Sequence, residues 1–261
     1  MLNISVITWC CFAAVLLSLG GFLLSRRYVN QTEMDLHQPF LDATLTIVGT
    51  LVSILLGLLV ANSIEFYESV VATANNEATA VADVMRLAHG LPSATKVPLV
   101  KLCIDYNHEV ENVEWAAMQH GHHSPGAAIL YMKINEAVLA FSPSTNRENN
   151  VHAAMIAAVE QLGDCRRSRL MVMHSTWCHR ILPVVGMCAI IVLVYTYLYT
   201  RREKRRLHAT LISFVAICLG ANIAMIFLLR SPFSTDWKIE PFGFRLNDEL
   251  LLDYAKEGVS L

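Results

Sequence analysis

Four stretches of the chain carry no charged residue: 4–25, 43–64, 181–200 and 209–229. Each is about 20 residues, enough to cross a roughly 30 Å hydrocarbon core as a helix. The pattern predicts four transmembrane helices. The second apolar run does not stop at a membrane surface. Ile64, Tyr67, Val71, Ala74, Ala78, Val81, Met85 and Ala88 follow in steps of three and four, one face of a helix. No Pro or Gly intervenes between Leu58 and His89, and Gly90-Leu91-Pro92 ends the run. One helix over 43–89 would be roughly 70 Å long, of which about 40 Å lies beyond the membrane.

An apolar stripe outside the membrane needs partners. Leu99, Cys103, Tyr106, Val110, Val113 and Ala117 form a second stripe over 97–119. Ser124-Pro125 reads as an N-cap with proline at the first helical position, opening a helix to about Phe141. Ser142-Pro143-Ser144 breaks the chain, and a last helix over 146–178 returns to the membrane. No alternating strand pattern of useful length is visible. The expected fold is all-α. Residues 1–64 hold transmembrane helices one and two, 65–180 a helical bundle, 181–229 helices three and four, and 230–261 a C-terminal tail at the membrane interface.

Composition agrees: 54% of residues are hydrophobic and 16% charged, against roughly 25% charged in soluble domains. Mean hydropathy is +0.44. A net charge of −2 gives no footprint for nucleic acid. Residues 1–3 hold no basic residue while Arg26-Arg27 follow the first apolar run, the reverse of a signal peptide. An uncleaved helix with its N-terminus outside is expected. Arg201-Arg202-Glu203-Lys204-Arg205-Arg206 is the densest basic cluster and lies on the side of Arg26-Arg27. The positive-inside rule makes that side cytoplasmic and places 65–180 outside, in a bacterial inner membrane. Arg166, Arg167, Arg169 and Arg180 oppose this, but within a long translocated segment, where the rule is weaker.

Chemistry is sparse. Cys10, Cys11, Cys188 and Cys218 lie in spans and read as small apolar residues. Cys103, Cys165 and Cys178 are either free thiols or, in an oxidising compartment, a source of one disulfide. His120, His122 and His123 are weak metal candidates, because no carboxylate or cysteine completes a ligand set and the stretch reads as a solvent turn. No catalytic or phosphate-binding motif is present, so neither an enzyme nor a cofactor is expected.

Within the membrane, Gly49, Ser53, Gly57 and Ala61 recur at four-residue steps. Such a face either packs closely against another helix or lines a pore, and in an oligomer it can do both. Asn62 and Glu65 sit at the end of that span, with Glu68 a turn further on. Asn222 lies inside the fourth span, as interhelical glue or a selectivity element. Glu65 and Glu68 at a mouth would favour cations, and Arg230 would favour anions.

The stretch LLRSPFSTDW, residues 228–237, follows the last span. With Pro232, Phe233 and Ser234 it resembles the end of the bacterial bestrophin-like integral membrane proteins, although Thr235 and Asp236 stand where that family more often has Gly and a neighbour. NNEATAVADVMRLAHGLP (75–92) resembles the family's helix with an alanine-flanked glutamate, here Glu77. Tyr106 and Glu114-Trp115 are similar to its Tyr and Glu-Trp positions. Residues 43–245 are covered. Arg230, Phe233 and Trp237 read as a surface anchor or the wall of a vestibule, and Glu77, beside the apolar stripe, invites a basic partner. The resemblance implies a homo-oligomer around a central pore, because bestrophins are pentameric anion channels with four spans. Two departures stand: bestrophins keep their helical part in the cytosol, and the second span offers no aromatic neck before Phe66. The sequence therefore carries two functions: an oligomeric, anion- or other ion-conducting pore in contact with membrane lipid, or a non-conducting membrane-anchored interaction or envelope-sensing protein.

Overall fold

The structure is a computed structural model. It describes residues 5–28, 38–173, 177–198, 205–235 and 237–256, with side chains except at 5–6, 26, 177–179, 205 and 251–256. The side chains of Arg26, Arg205 and Cys178, the basic residues at 201–204, and Asp236 thus lie outside the described set. The described residues are helical with no strand: α1 (Ser5–Tyr28), α2 (Gln38–Ala88), α3 (Ser93–Glu109), a π-helical turn (Val110–Glu114), α4 (Trp115–Met118), α5 (Pro125–Leu139), α6 (Asn146–Met173), α7 (Trp177–Leu198), α8 (Arg205–Arg230) and α9 (Phe242–Lys256). The all-α expectation holds. Four helices are long and apolar enough to span a membrane, with windows Ile7–Ser25, Arg180–Leu198, Arg206–Arg230 and one within the 51-residue α2. Two compact units form: Met1–Tyr67 with Thr176–Trp237, and Glu68–Ser175 with Lys238–Leu261.

In the membrane unit, α1 packs on α8 where Gly220 allows it. A Cβ there would stand 3.0 Å from Ala14 Cβ, tighter than ordinary contact. Val52 and Leu56 of α2 join Val185 and Val192 of α7 and Ile226 of α8 in a buried cluster. Much of the remaining apolar surface is exposed, including Leu17, Leu51, Leu58 and Ile190, as expected of helices whose solvent is lipid.

The second unit buries the stripe of α2. Ala74, Ala78, Val81, Met85 and Ala88 are buried, Tyr67 and Val71 half-buried, and Ile64 exposed. Ser124 caps α5 by accepting from Gly126 N (3.1 Å), with Pro125 first in the helix. On α3, Leu99, Cys103, Tyr106 and Val110 point inward, but Val113 is 48% exposed. The π-helical turn inserts one residue into the repeat, so Glu114, Trp115 and Met118 take the inward phase instead. The residues read from the sequence as a C-terminal interfacial tail divide between the two units. From Lys238 the chain belongs to the second unit, where hydrogen bonds hold α9. Asn247 Nδ2 donates to Ala78 O (2.9 Å), and Asn107 Nδ2 donates to Phe244 O (2.9 Å) and Asp248 Oδ1 (2.6 Å).

Candidate functional site

Two constellations carry the residues singled out by the sequence, one in each unit. In the membrane unit, Ser53, Gly57 and Ala61 are exposed and Gly49 is half-buried. A Cβ added at Gly49 or Gly57 would meet nothing within 4 Å. Packing against another helix of the same chain is therefore ruled out for these glycines among the described residues. The side of α2 turned to α7 and α8 is instead Val52 and Leu56, flanked by Leu59 and Val60. Glu65 and Glu68 are exposed on α2. Asn222 bridges no helices in the described contacts: its Nδ2 donates to Cys218 O (2.8 Å), one turn back on its own helix. In the membrane that self-contained bond covers a donor that lipid cannot.

Residues 228–235 and Trp237 form a lock at the end of α8. Arg230 Nη2 donates to Asn62 Oδ1, its Nε to Ser63 Oγ (3.3 Å), and its guanidinium lies 4.7 Å from the centre of the Phe66 ring. Two adjacent turns of α2 are thereby tied to one arginine. Pro232 and Phe233 are buried. Thr235 Oγ1 donates back to Ser231 O (3.0 Å), and Tyr67 OH donates to Trp237 O (3.2 Å). Phe233 thus anchors to protein, while Ser234 and the half-buried Trp237 retain some exposure.

The second constellation is a buried charge network. Arg169 side chain is fully buried, as are those of Glu77 and Glu114. Arg169 Nε and Nη2 donate to Glu77 (2.7 and 2.8 Å), a two-pronged pair, and Nη2 also donates to Glu114 Oε2 (2.7 Å). Arg166 Nη2 donates to Glu114 Oε1 (2.6 Å), and Tyr106 OH donates to Glu77 Oε1 (2.7 Å). Ser124 N completes Glu114 (3.3 Å). The Trp115 ring lies 5.3 Å from the Arg169 guanidinium, and its Nε1 donates to Ile239 O (2.8 Å). Two carboxylates and two guanidiniums balance, as burial of charge requires. Burial opposes the Arg169 charge, but Glu77 and then Glu114 overcome it and raise its pKa above the ordinary arginine value. Burial, and then the Glu77 charge, push Tyr106 well above the usual phenol range. The phenol is a donor at any physiological pH.

All four second-unit motif residues, Glu77, Tyr106, Glu114 and Trp115, meet in this network. Their partners Arg166 and Arg169 were read only as flanking charge. A signal existed: Met155, Leu162, Arg166, Arg169 and Met173 follow steps of three, four and seven, so two arginines occupy a stripe otherwise apolar. His120, His122 and His123 are exposed around a turn. No group of three or more metal-ligating side chains is found among the described residues. Cys103 and Cys165 are free thiols, and a pairing with Cys178 lies outside the described side chains.

The chain matches the bestrophin-like domain over residues 12–244. Nothing among curated protein sequences matches it. Its fold is similar to crystal structures of a bacterial bestrophin homologue from Klebsiella pneumoniae in two single-substitution forms. One has 13% identity, TM-score 0.67, and coverage of 95% of this chain and 100% of that one. The other has 14% identity, TM-score 0.64, and coverage of 95% and 98%. With a match that spans the membrane helices and the charge network alike, the chain belongs to the bestrophin-like family of integral membrane proteins.

Proposed function

We propose that the chain is one subunit of a homo-oligomeric ion channel, with α2 as the pore-lining helix. The observation that carries this reading is the face of Gly49, Ser53, Gly57 and Ala61, which has no partner at its glycines within the chain. A small-residue face on a membrane helix either lets another backbone approach or leaves room for a solute. Copies arranged around an axis give it both uses. Family membership supports this, and a fivefold ring comes from resemblance alone. The charge network then serves to hold the second unit in one geometry rather than to perform catalysis. The resemblance implies anions. Glu65 and Glu68, exposed on α2, argue for cations, and Arg230 is engaged by Asn62, Ser63 and Phe66.

Planar-bilayer recording of the purified protein in asymmetric chloride salt tests the reading. Discrete currents are expected, and their reversal potential gives the ion preference. Gly57→Leu, which adds a branched side chain to the face, should reduce unitary conductance severalfold. A strictly monomeric protein, or silence from folded oligomers under every stimulus tried, would move the assignment to a non-conducting interaction protein. The placement of 65–180 outside the cytoplasm, in a bacterial inner membrane, is tested separately. A cysteine introduced at exposed His122 should react with an impermeant maleimide in intact spheroplasts. Reaction only after permeabilisation would invert the topology.

A further inference from the structure

The second unit carries a polar pocket of about 190 Å³, with the π-helical turn and α4 on one side and residues 238–245 on the other. Its walls are fixed by bonds already made. Trp115 Nε1 donates to Ile239 O (2.8 Å), Phe242 N to Glu240 O (2.8 Å), and Arg245 N to Pro241 O (3.1 Å). Trp115, Ile239 and Pro241 are buried and give the pocket an apolar wall. Binding there would order little of the backbone, which lowers its cost.

The polar groups of the pocket are unequally used. Arg245 Nη1 donates to Glu240 Oε2 (2.8 Å), and its Nε lies 3.4 Å from Glu111 Oε1. Both carboxylates in the wall thus engage one guanidinium, and no described contact uses its Nη2. Exposed Lys238 and half-buried Gln119 also line the pocket, and neither side chain has a hydrogen bond or ion pair to another described residue. An ammonium, a guanidinium edge and a carboxamide are left over, a surplus of donors that suits an anion with more than one acceptor oxygen. Two acids and two bases cancel in the wall, so a single negative charge is favoured over the double charge of a phosphate. Size and the apolar wall argue against a lone halide. At roughly 30 Å³ for each water-sized group, the pocket holds about six heavy atoms.

We propose that this pocket binds a small organic monocarboxylate of about four carbons. Its carboxylate meets Lys238, Gln119 and the Nη2 edge of Arg245, and its short chain lies on Trp115, Ile239 and Pro241. The site does not rest on whether the chain conducts ions.

Saturation-transfer NMR of the intact protein in detergent at neutral pH, with butyrate as the probe and protein-free micelles as the blank, reads the site. Butyrate should bind with a dissociation constant of roughly millimolar order, as ligands of so few atoms do, and n-butylamine should not bind. Lys238→Gln should weaken butyrate about fivefold by removing the unpaired cation. Glu240→Gln should strengthen it about twofold by releasing Arg245 from a competing carboxylate. Ala116→Trp fills the pocket from an exposed position, so the fold should survive, as circular dichroism would show, and butyrate binding should be lost. Lys101→Gln, the same charge change at an exposed position of α3 outside the pocket lining, should leave binding unchanged. Transfer no greater than to micelles alone, equal binding of butylamine, displacement of butyrate by chloride at equal concentration, binding untouched by Ala116→Trp, or an equal loss in Lys101→Gln would each overturn the proposal.

Discussion

Replacing Arg169 with Met tests whether the buried charge network holds the second unit together. The guanidinium makes three charge-assisted bonds to carboxylates, all at 2.7–2.8 Å, with no exposed surface on any partner. Without it, Glu114 keeps Arg166 and Ser124 N, but Glu77 keeps only the Tyr106 hydroxyl. Glu77 becomes an uncompensated buried charge. Removing one partner of a buried pair costs about 3–5 kcal/mol, far above the cost of losing packing to an isosteric Met. A cost of about 4 kcal/mol corresponds to roughly a thousandfold faster opening, at 1.36 kcal/mol per decade. Hydrogen exchange of the slowest amides in α3 and α6 measures that opening within the unit concerned. Arg166→Met should cost roughly half as much, since Arg166 gives Glu114 one bond and retains 11% exposure. Glu77→Gln combined with Arg169→Met should cost less than the sum of the two, because the stranded charge is gone. An Arg169→Met cost below about 1 kcal/mol, or strict additivity in the double variant, would refute the argument.

Three further outcomes follow from the same unit. Gly243→Ala puts a Cβ 2.9 Å from Ala78 Cβ and 3.1 Å from Asn75 Oδ1, so α9 must move off α2. The amides of α9 should lose protection equivalent to about 1–3 kcal/mol, and unchanged exchange would show the contact to be slack. Burial pushes the Cys103 thiol up to about 12, so in the folded protein it should resist maleimide at pH 8 and react on unfolding; rapid native labelling, read by peptide mass, would contradict its burial. Glu111 is raised by burial first and then by the hydrogen bond and charge of Asp248, with Arg245 opposing. A raised folded value means a contribution fully present below the ordinary carboxyl range and lost as pH rises through the folded value. Protection of α9 should therefore improve as pH falls from neutral toward the ordinary carboxyl range in the wild type and improve less in Glu111→Gln, with identical pH profiles counting against the reasoning.

Some of this protein is written in short-range patterns. Uncharged runs of about 20 residues declare membrane spans, because the bilayer demands length and apolarity of each helix separately. The three-and-four spacing over residues 64–88 and the Ser124-Pro125 start of α5 are likewise local, and the structure reproduces both except at exposed Ile64. Motif residues Glu77, Tyr106, Glu114 and Trp115 were visible one by one, as was the need of Glu77 for a cation.

What completes them depends on packing. The π-helical turn turns Val113 out and Glu114 in, a one-residue shift that no periodicity in the sequence announces. Arg166 and Arg169 look like membrane-flanking charge until α6 is laid against α2 and α3, where they become the counter-ions. Asn222 read as interhelical glue or a selectivity element, and within the chain its amide donates to Cys218 O on its own helix. Nothing local in the tail after Lys238 announced that α9 would bond to Ala78 and Asn107. Apart from α9 and the π-helical turn, the sequence by itself determined which segments are helices and which of them the membrane can hold, since each helix settles those matters alone. Only the tertiary structure decided which charges meet, because the cost of burying a charge is set by the partner that another helix brings to it.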